Sequence, residues 1–360
     1  MKERRKTRTI FIGDIAIGGD NPVVVQSMCN TDTRDVSSTV AQIKRLEAVG
    51  CEVIRVAVPD MEAAQAITDI VKSISIPLIA DIHFDWRLAV VSMEAGARGI
   101  RINPGNIGGR EKLEKVVRVA RERAVPIRVG VNSGSLEADI RKRHGGPTPE
   151  ALVESAMRNI EYVCDMGWEE IKVSIKSSDV MDTIESYRLL SLRSDFPLHI
   201  GVTEAGGLIA GTVKSSVALG SLLIDGIGDT MRVSLTRDPE EEIAVAYEIL
   251  RAARRRFRGP EIISCPTCGR TEIDLFSLAE EVERRARQIP HPIKLAVMGC
   301  VVNGPGEARE ADIGLAGGKG IGIIFQGERV LEKVREEDLL ERFWFHVERV
   351  LEEKFQQKKR

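Results

Sequence analysis

The sequence predicts an α/β chain: a (β/α)8 barrel of the TIM type followed by a small α+β domain. Three observations carry this. Residues 22–256 alternate short β-branched runs with helix-like stretches, and there are eight such runs. One spacing recurs: Gly50 is followed at +4 and +5 by Ile54-Arg55, Gly96 by Ile100-Arg101 and Gly167 by Ile171-Lys172. The rhythm stops at Arg256-Phe257-Arg258-Gly259-Pro260, which divides the chain into a barrel at 1–259 and a second domain at 260–360.

The strands are expected at 23–28, 53–58, 78–83, 99–103, 127–132, 171–177, 198–203 and 231–235. Between them, Leu113, Val116, Val117 and Ala120 fall on one helical face. Thr148 before Pro149 reads as an N-cap with proline at the first helical position. Gly50, Gly96 and Gly167 stand where helices should end in a left-handed residue. A doubly wound open sheet is the alternative, but strand one runs into Gln26-Ser27-Met28-Cys29-Asn30-Thr31, with no glycine-rich phosphate loop. In the second domain a charged helix (272–288), a strand (293–298), a glycine-rich hairpin (313–325) and a terminal helix follow. Gly317-Gly318-Lys319-Gly320 lacks both the spacing and the Ser or Thr of a phosphate loop and reads as the hairpin turn.

Composition narrows the function classes. A formal charge of −2 and 4% aromatic residues argue against a nucleic-acid surface. No apolar run reaches transmembrane length, and the basic start, Met1 to Arg8, lacks the apolar stretch of a signal peptide. A cytoplasmic protein is expected, in which the six cysteines serve as thiols or metal ligands. The end, Gln356 to Arg360, reads as a frayed, solvated tail.

Alternation along the strands assigns their faces. The apolar set of each must meet the helices. The opposite set carries Arg55, Arg101, Arg128, Lys172, Lys176 and Arg232, with Gln26, Asp81, His83, Asn103, Asn132, Ser174, His199, Gly201, Thr203 and Ser234 in the same phase. Barrel interiors are normally filled with Val, Ile and Leu. Six inward cations with Asp81 as the clear acid call for a polyanionic ligand, phosphate above all. Ala57 and Gly130 leave room above two of the arginines. The plainer reading sets these cations at a solvated rim, or pairs them with carboxylates from elsewhere. Glu204, just past strand seven, stands at the catalytic face of such a barrel or else in the first turn of the next helix. His83 and His199 are functional or core hydrogen-bonders.

The second domain holds Cys265-Pro266-Thr267-Cys268, then Cys300, then Glu307 in Asn303-Gly304-Pro305-Gly306-Glu307. A cubane iron–sulfur cluster normally takes four thiolates, so three leave one iron for another ligand. The same spacing suits a zinc site completed by His291. Cys51 and Cys164 read as buried apolar residues, whereas Cys29 lies at the catalytic end of strand one.

Across nearly the whole chain these residues resemble the 4-hydroxy-3-methylbut-2-enyl diphosphate synthase family of the non-mevalonate isoprenoid pathway, in its bacterial two-domain form. The carrying segments include Ala80-Asp81-Ile82-His83-Phe84, Ile100-Arg101-Ile102-Asn103-Pro104-Gly105-Asn106, Gly201-Val202-Thr203-Glu204-Ala205-Gly206, Ser264-Cys265-Pro266-Thr267-Cys268-Gly269-Arg270 and Gly299-Cys300-Val301-Val302-Asn303-Gly304-Pro305-Gly306-Glu307. The resemblance implies a [4Fe-4S] cluster on Cys265, Cys268, Cys300 and Glu307, in a domain similar to the cluster domain of sulfite and nitrite reductases. It implies a cyclic diphosphate substrate, 2-C-methyl-D-erythritol 2,4-cyclodiphosphate, opened reductively with two electrons from reduced flavodoxin or ferredoxin. It also implies a homodimer with the active site between subunits. Within that frame Glu204 is the candidate general acid for the departing hydroxyl, and Glu307, a weaker, harder ligand than thiolate, is the one that yields its iron to substrate. The remaining alternative is a non-redox lyase or transferase with a zinc-bound accessory domain.

Overall fold

The computed structural model describes residues 2–271, 273–301, 306 and 308–356, the side chains of Ser135 and Gln356 excepted. It divides into two compact units, the first ending at Arg256 and the second beginning at Phe257.

The first unit is a parallel barrel. Its strands are β3 (Val24–Met28), β4 (Val53–Ala57), β5 (Leu78–Asp81), β6 (Gly99–Ile102), β7 (Ile127–Asn132), β8 (Ile171–Lys176), β9 (His199–Ile200) and β10 (Thr230–Met231). Their order in the sheet is β8-β7-β6-β5-β4-β3-β10-β9, and a parallel bridge from Val173 to Leu198 brings the two ends together. Helices follow the strands: α1 (Val36–Ala48), α2 (Met61–Val71), α3 (Trp86–Glu94), α4 (Arg110–Glu122), α5 (Ala138–His144), α6 (Pro149–Cys164), α7 (Val180–Arg193), α8 (Leu208–Ile224) and α9 (Pro239–Ala252). Their starts are chemically marked. Asp35, Asp60, Asp85, Thr148 and Asp179 each accept a hydrogen bond from a backbone N–H of the first turn. Their ends are marked too, since Gly50, Gly96 and Gly167 all take positive φ just past a helix.

The last two strands are shorter than the pattern predicts, and the eighth begins one residue earlier, at Thr230. The parallel pairing nonetheless continues beyond them: Arg232 N–H donates to Ile200 O at 3.0 Å and Thr203 N–H to Ser177 O at 3.4 Å. A short antiparallel hairpin, β1 (Ile10–Ile12) and β2 (Ile15–Ile17), precedes the barrel. Its Ile10, Ile12 and Ile17 bury against Val24, Val53 and Ile79, at the amino ends of three strands, and so plug the barrel floor.

The second unit is a five-stranded sheet of order β11-β12-β13-β14-β15. It comprises β11 (Glu261–Ser264), β12 (Lys294–Met298), β13 (Ile313–Ala316), β14 (Ile321–Gln326) and β15 (Arg329–Arg335), with α10 (Leu275–Ala286) and α11 (Leu339–Leu351). The first three strands run parallel and the last three antiparallel. Alternation splits the core. Leu295 and Val297 of β12 pack with Val282, Phe343 and Val347 of the helices, while Ala296 and Met298 face a second cluster with Ala308, Ala316 and Phe325. Strand β15 extends the hairpin expected from sequence, and β11 adds a parallel strand beyond β12. Among the described residues no helix is long and apolar enough to cross a membrane.

Candidate active site in the barrel and cysteine cluster

Parallel register decides which side chains share the barrel interior. Arg101 pairs with Asp81 on one side and Arg128 on the other, and Arg128 pairs with Lys172. In a closed barrel the stagger between strands sorts inward side chains into layers of four, drawn from alternate strands. Followed from the floor, Val53, Gly99, Lys172 and Thr230 form one layer, and Gln26, Ile79, Arg128 and His199 the next. Above them come Arg55, Arg101, Ser174 and Arg232, then Met28, Asp81, Gly130 and Gly201. Ala57, Asn103, Lys176 and Ser234 stand at the mouth, with His83, Asn132 and Thr203 over them.

The cations are not at a solvated rim. Arg55, Arg101, Arg128, Lys172 and Lys176 are all buried, and Arg232 nearly so. Arg55 Nε lies 3.7 Å and Arg101 Nη1 3.4 Å from the Asp81 carboxylate, with His83 Nε2 at 3.6 Å. Burial alone would raise the Asp81 carboxyl; Arg55, His83, Arg101 and Arg128 together hold it far below the ordinary range. Burial lowers the Arg55 guanidinium to about 10 despite Asp81, with Arg232 and Arg101 adding to the effect. Arg128, Lys172 and Lys176 are pushed well down, first by burial and then by each other's charge or that of Arg55.

Asp81 is not the sole inward acid. Glu242 on α9 reaches the interior and pairs with Arg232 Nε and Nη2, each at 3.4 Å. It also accepts from Ser27 Oγ at 3.1 Å and Leu235 N–H at 3.0 Å. For Arg232, then, a carboxylate from elsewhere in the sequence does supply a partner. Nothing in Pro239-Glu240-Glu241-Glu242 separates it from the ordinary acidic first turn of a helix. Met28 was also silent, although it shares Gln26's phase: its sulfur takes Arg55 Nη2 at 2.9 Å and Arg232 Nη1 at 3.7 Å. The space over Gly130 is filled, since a Cβ there would sit 2.5 Å from Arg101 Nε. The glycine lets Arg101 lie flat across β7.

At the mouth, His83 is exposed and Asn103 is buried, its Oδ1 accepting from Gly105 N–H at 3.1 Å. Asn132, with its amide oxygen turned to accept, meets Arg101 Nη2 at 3.1 Å. Thr203 and Ser234 are half-buried. Glu204 is exposed and holds φ of 53°, a left-handed conformation that costs a non-glycine residue about 1 kcal/mol or more. The N-cap of α8 is Gly207, so Glu204 does not serve the first turn of that helix. His199, by contrast, is a core residue: its Nδ1 is 2.8 Å from Thr230 Oγ1, and burial followed by Arg128 and Lys176 keeps it neutral.

In the second unit, Cys265 directly follows β11 and Cys300 follows β12 by two residues, and these strands are parallel neighbours with Ser264 opposite Val297. Both cysteines therefore leave the same end of the sheet. Gly299 N–H donates to Cys265 Sγ at 3.4 Å. Cys268 is exposed in the intervening loop, where Thr267 takes φ of 58°. Three thiols form a donor set that suits a thiophilic metal centre. Among the described residues no three His, Cys, Asp or Glu side chains are gathered around a common point, and Glu307 lies outside those residues. His291 stacks on Phe355 with ring centroids 4.5 Å apart. Burial pushes the Cys29 and Cys51 thiols up to about 12, which makes both inert.

Comparison with known proteins covers both units. Residues 7–247 match the GcpE TIM-barrel domain and residues 261–349 the GcpE protein C-terminal domain. A protein of Desulfotalea psychrophila named 4-hydroxy-3-methylbut-2-en-1-yl diphosphate synthase (flavodoxin) is 61% identical over 361 residues, covering 99% of each chain. Proteins of the same name from Maridesulfovibrio salexigens and Geobacter sulfurreducens are 58% and 54% identical, each covering 98% of this chain and 99% of their own length.

Proposed function

The chain belongs to the GcpE family, and from that membership we propose how its residues act in the reductive opening of 2-C-methyl-D-erythritol 2,4-cyclodiphosphate to 4-hydroxy-3-methylbut-2-enyl diphosphate. The enzyme is an iron–sulfur oxidoreductase of isoprenoid precursor synthesis, and its electrons come from reduced flavodoxin, the donor in its relatives' names. Reduced ferredoxin is chemically equivalent. Two electrons enter, the ring carbon–oxygen bond to phosphate breaks, and one hydroxyl leaves as water after taking up a proton. The family match to a redox enzyme disfavours the lyase reading with zinc.

The observation that supports the substrate assignment is the buried cationic interior. Five buried cations and Arg232 face Asp81 and Glu242, with Asp229 acting on Lys172 from below, among the described residues. A buried, underpaired cation costs several kcal/mol in the free protein, about 3–5 when a partner is removed. A diphosphate at the mouth offsets that cost. Arg55, Arg101, Arg128, Lys176 and Arg232 hold it and stabilise the charge that develops as the ring opens. Lys176, in the mouth layer, is the lysine that reaches phosphate, with Lys172 four layers deeper. Asp81, His83, Asn103, Asn132, Thr203 and Ser234 orient the polyol. Glu204, exposed and held in its left-handed turn, delivers the proton to the departing hydroxyl.

Cys265, Cys268, Cys300 and Glu307 would hold the family's [4Fe-4S] cluster. When bound, that cluster supplies the electrons and a Lewis-acidic iron. A carboxylate is a harder, weaker ligand for iron than a thiolate, which suits Glu307 to an exchangeable position. We place the enzyme in the cytoplasm as a homodimer with its active site shared between subunits. The outer face of α8 supports the dimer: Ile209, Val213, Val217 and Ile224 recur at close to helical spacing, all exposed, with no acidic residue on the helix. Anaerobic purification tests the cofactor assignment. Brown protein with about four iron and four sulfide per chain agrees with it; colourless protein with one zinc sinks it.

A further inference from the structure

We propose that the layers at the foot of the substrate site hold a resident small inorganic anion of the halide class, bound by Lys172, Gln26, His199 and Arg128, the last shared with the diphosphate clamp. These side chains come from β8, β7, β3 and β9 and converge in the two lowest polar layers, just above the isoleucine floor. None is more than 3% exposed. Each has a polar group with no hydrogen-bond partner among the described residues: Lys172 Nζ, Arg128 Nε and Nη1, both amide atoms of Gln26, and His199 Nε2. Buried polar atoms are almost always satisfied, so four side chains with open polar atoms in adjacent layers mark a binding site. Their chemistry sets its class. Lysine and arginine offer only N–H donors, the Gln26 NH2 and, once His199 Nδ1 accepts from Thr230 Oγ1, His199 Nε2–H add to them, and Gln26 Oε1 is the lone open acceptor of the set.

Charge points the same way. The interior carries Arg55, Arg101, Arg128, Lys172, Lys176 and Arg232 against Asp81 and Glu242. Asp229, on the far side of Lys172, is engaged by Arg4 at 3.0 Å and by Leu198 N–H at 2.8 Å. Each phosphoryl group of a cyclic diphosphate brings a single negative charge. On the reading above, two cations therefore remain uncompensated even with substrate bound. Arg55, Arg101 and Arg232 lie between the mouth and the lowest layers, so the substrate's own phosphates are held above Lys172. A compact anion that needs no hydroxyl or carbon scaffold fits the enclosed position. The site draws on barrel geometry alone and stands whether or not the mouth binds a cyclodiphosphate.

The test uses the full-length protein with its cluster. Crystals grown with sodium bromide in place of chloride, measured at the bromine edge, should show an anomalous peak in contact with Lys172 Nζ and the Arg128 guanidinium. In solution, the protein should melt higher in sodium chloride than in sodium gluconate at equal ionic strength, by ligand linkage. Lys172→Met and Gln26→Leu should abolish that difference. Bromide found only at the surface, an adventitious ion only, would overturn the proposal. So would identical melting of the unaltered protein in the two salts, because the layers would then be filled by water around a neutral lysine. The crystal result needs no variant and decides the matter if Lys172→Met fails to fold.

Discussion

Asp81→Asn isolates the electrostatic claim about the barrel. The carboxylate lies 3.7 Å from Arg55, 3.4 Å from Arg101 and 3.6 Å from His83 Nε2, and is itself buried. Asparagine keeps the shape and loses the charge, leaving two guanidinium groups without their common counter-ion. Removing one partner of a buried ion pair costs about 3–5 kcal/mol. For a unit of this size each kcal/mol moves the melting temperature by roughly 2–4 °C, so a fall of roughly 6–20 °C is expected. Substrate should restore much of it, because a diphosphate replaces the missing negative charge. The assay is thermal unfolding of the holoenzyme with and without 2-C-methyl-D-erythritol 2,4-cyclodiphosphate. pH gives a second reading. The folded carboxyl lies below its unfolded value of about 3.9, so its stabilisation is present above that pH and is lost as pH falls toward the folded pKa. The variant should therefore lose part of the acid limb of the stability curve. Melting unchanged from the parent, in the absence of ligand, would refute the view that the interior cations depend on Asp81.

Glu204→Gly should relieve the left-handed strain and raise stability by about 1 kcal/mol while turnover collapses; Glu204→Gln should bind substrate normally and lose mainly kcat, roughly 100-fold or more, as expected for a missing general acid. Glu242→Gln frees Arg232, and steady-state kinetics should show a raised KM with a smaller change in kcat. Alkylation of the native apoprotein at pH 8, read by mass spectrometry, should label Cys268 fast and leave Cys29 and Cys51 unmodified, since burial holds their thiols near 12. Val213→Asp on α8 should convert the dimer to a monomer in sedimentation velocity; an unchanged dimer would move the interface elsewhere.

Much of the barrel was legible because its signals are local. Glycines past α1, α3 and α6, an aspartate or threonine opening α1, α2, α3, α6 and α7, and β-branched runs between helices act within a few residues. Alternation also brings Arg55, Arg101, Arg128, Lys172 and Lys176 to one face, and the fold buries them there. What escaped depends on distant packing. Three-residue strands such as Ile10–Ile12 are too short to show alternation, and their role as a floor exists only once Val24, Val53 and Ile79 are assembled. Glu242 looks like any helix-opening glutamate until α9 is laid against β3 and β10. The relative depth of Lys172 and Lys176 follows from barrel stagger, which a single strand does not carry.

Anaerobic turnover tests the central claim most directly. Holoenzyme is mixed with 2-C-methyl-D-erythritol 2,4-cyclodiphosphate and chemically reduced flavodoxin, and product is counted against electrons consumed. The account predicts 4-hydroxy-3-methylbut-2-enyl diphosphate formed at one molecule per electron pair. Flavodoxin that stays reduced beside unchanged substrate, with iron and sulfide fully loaded, would contradict it.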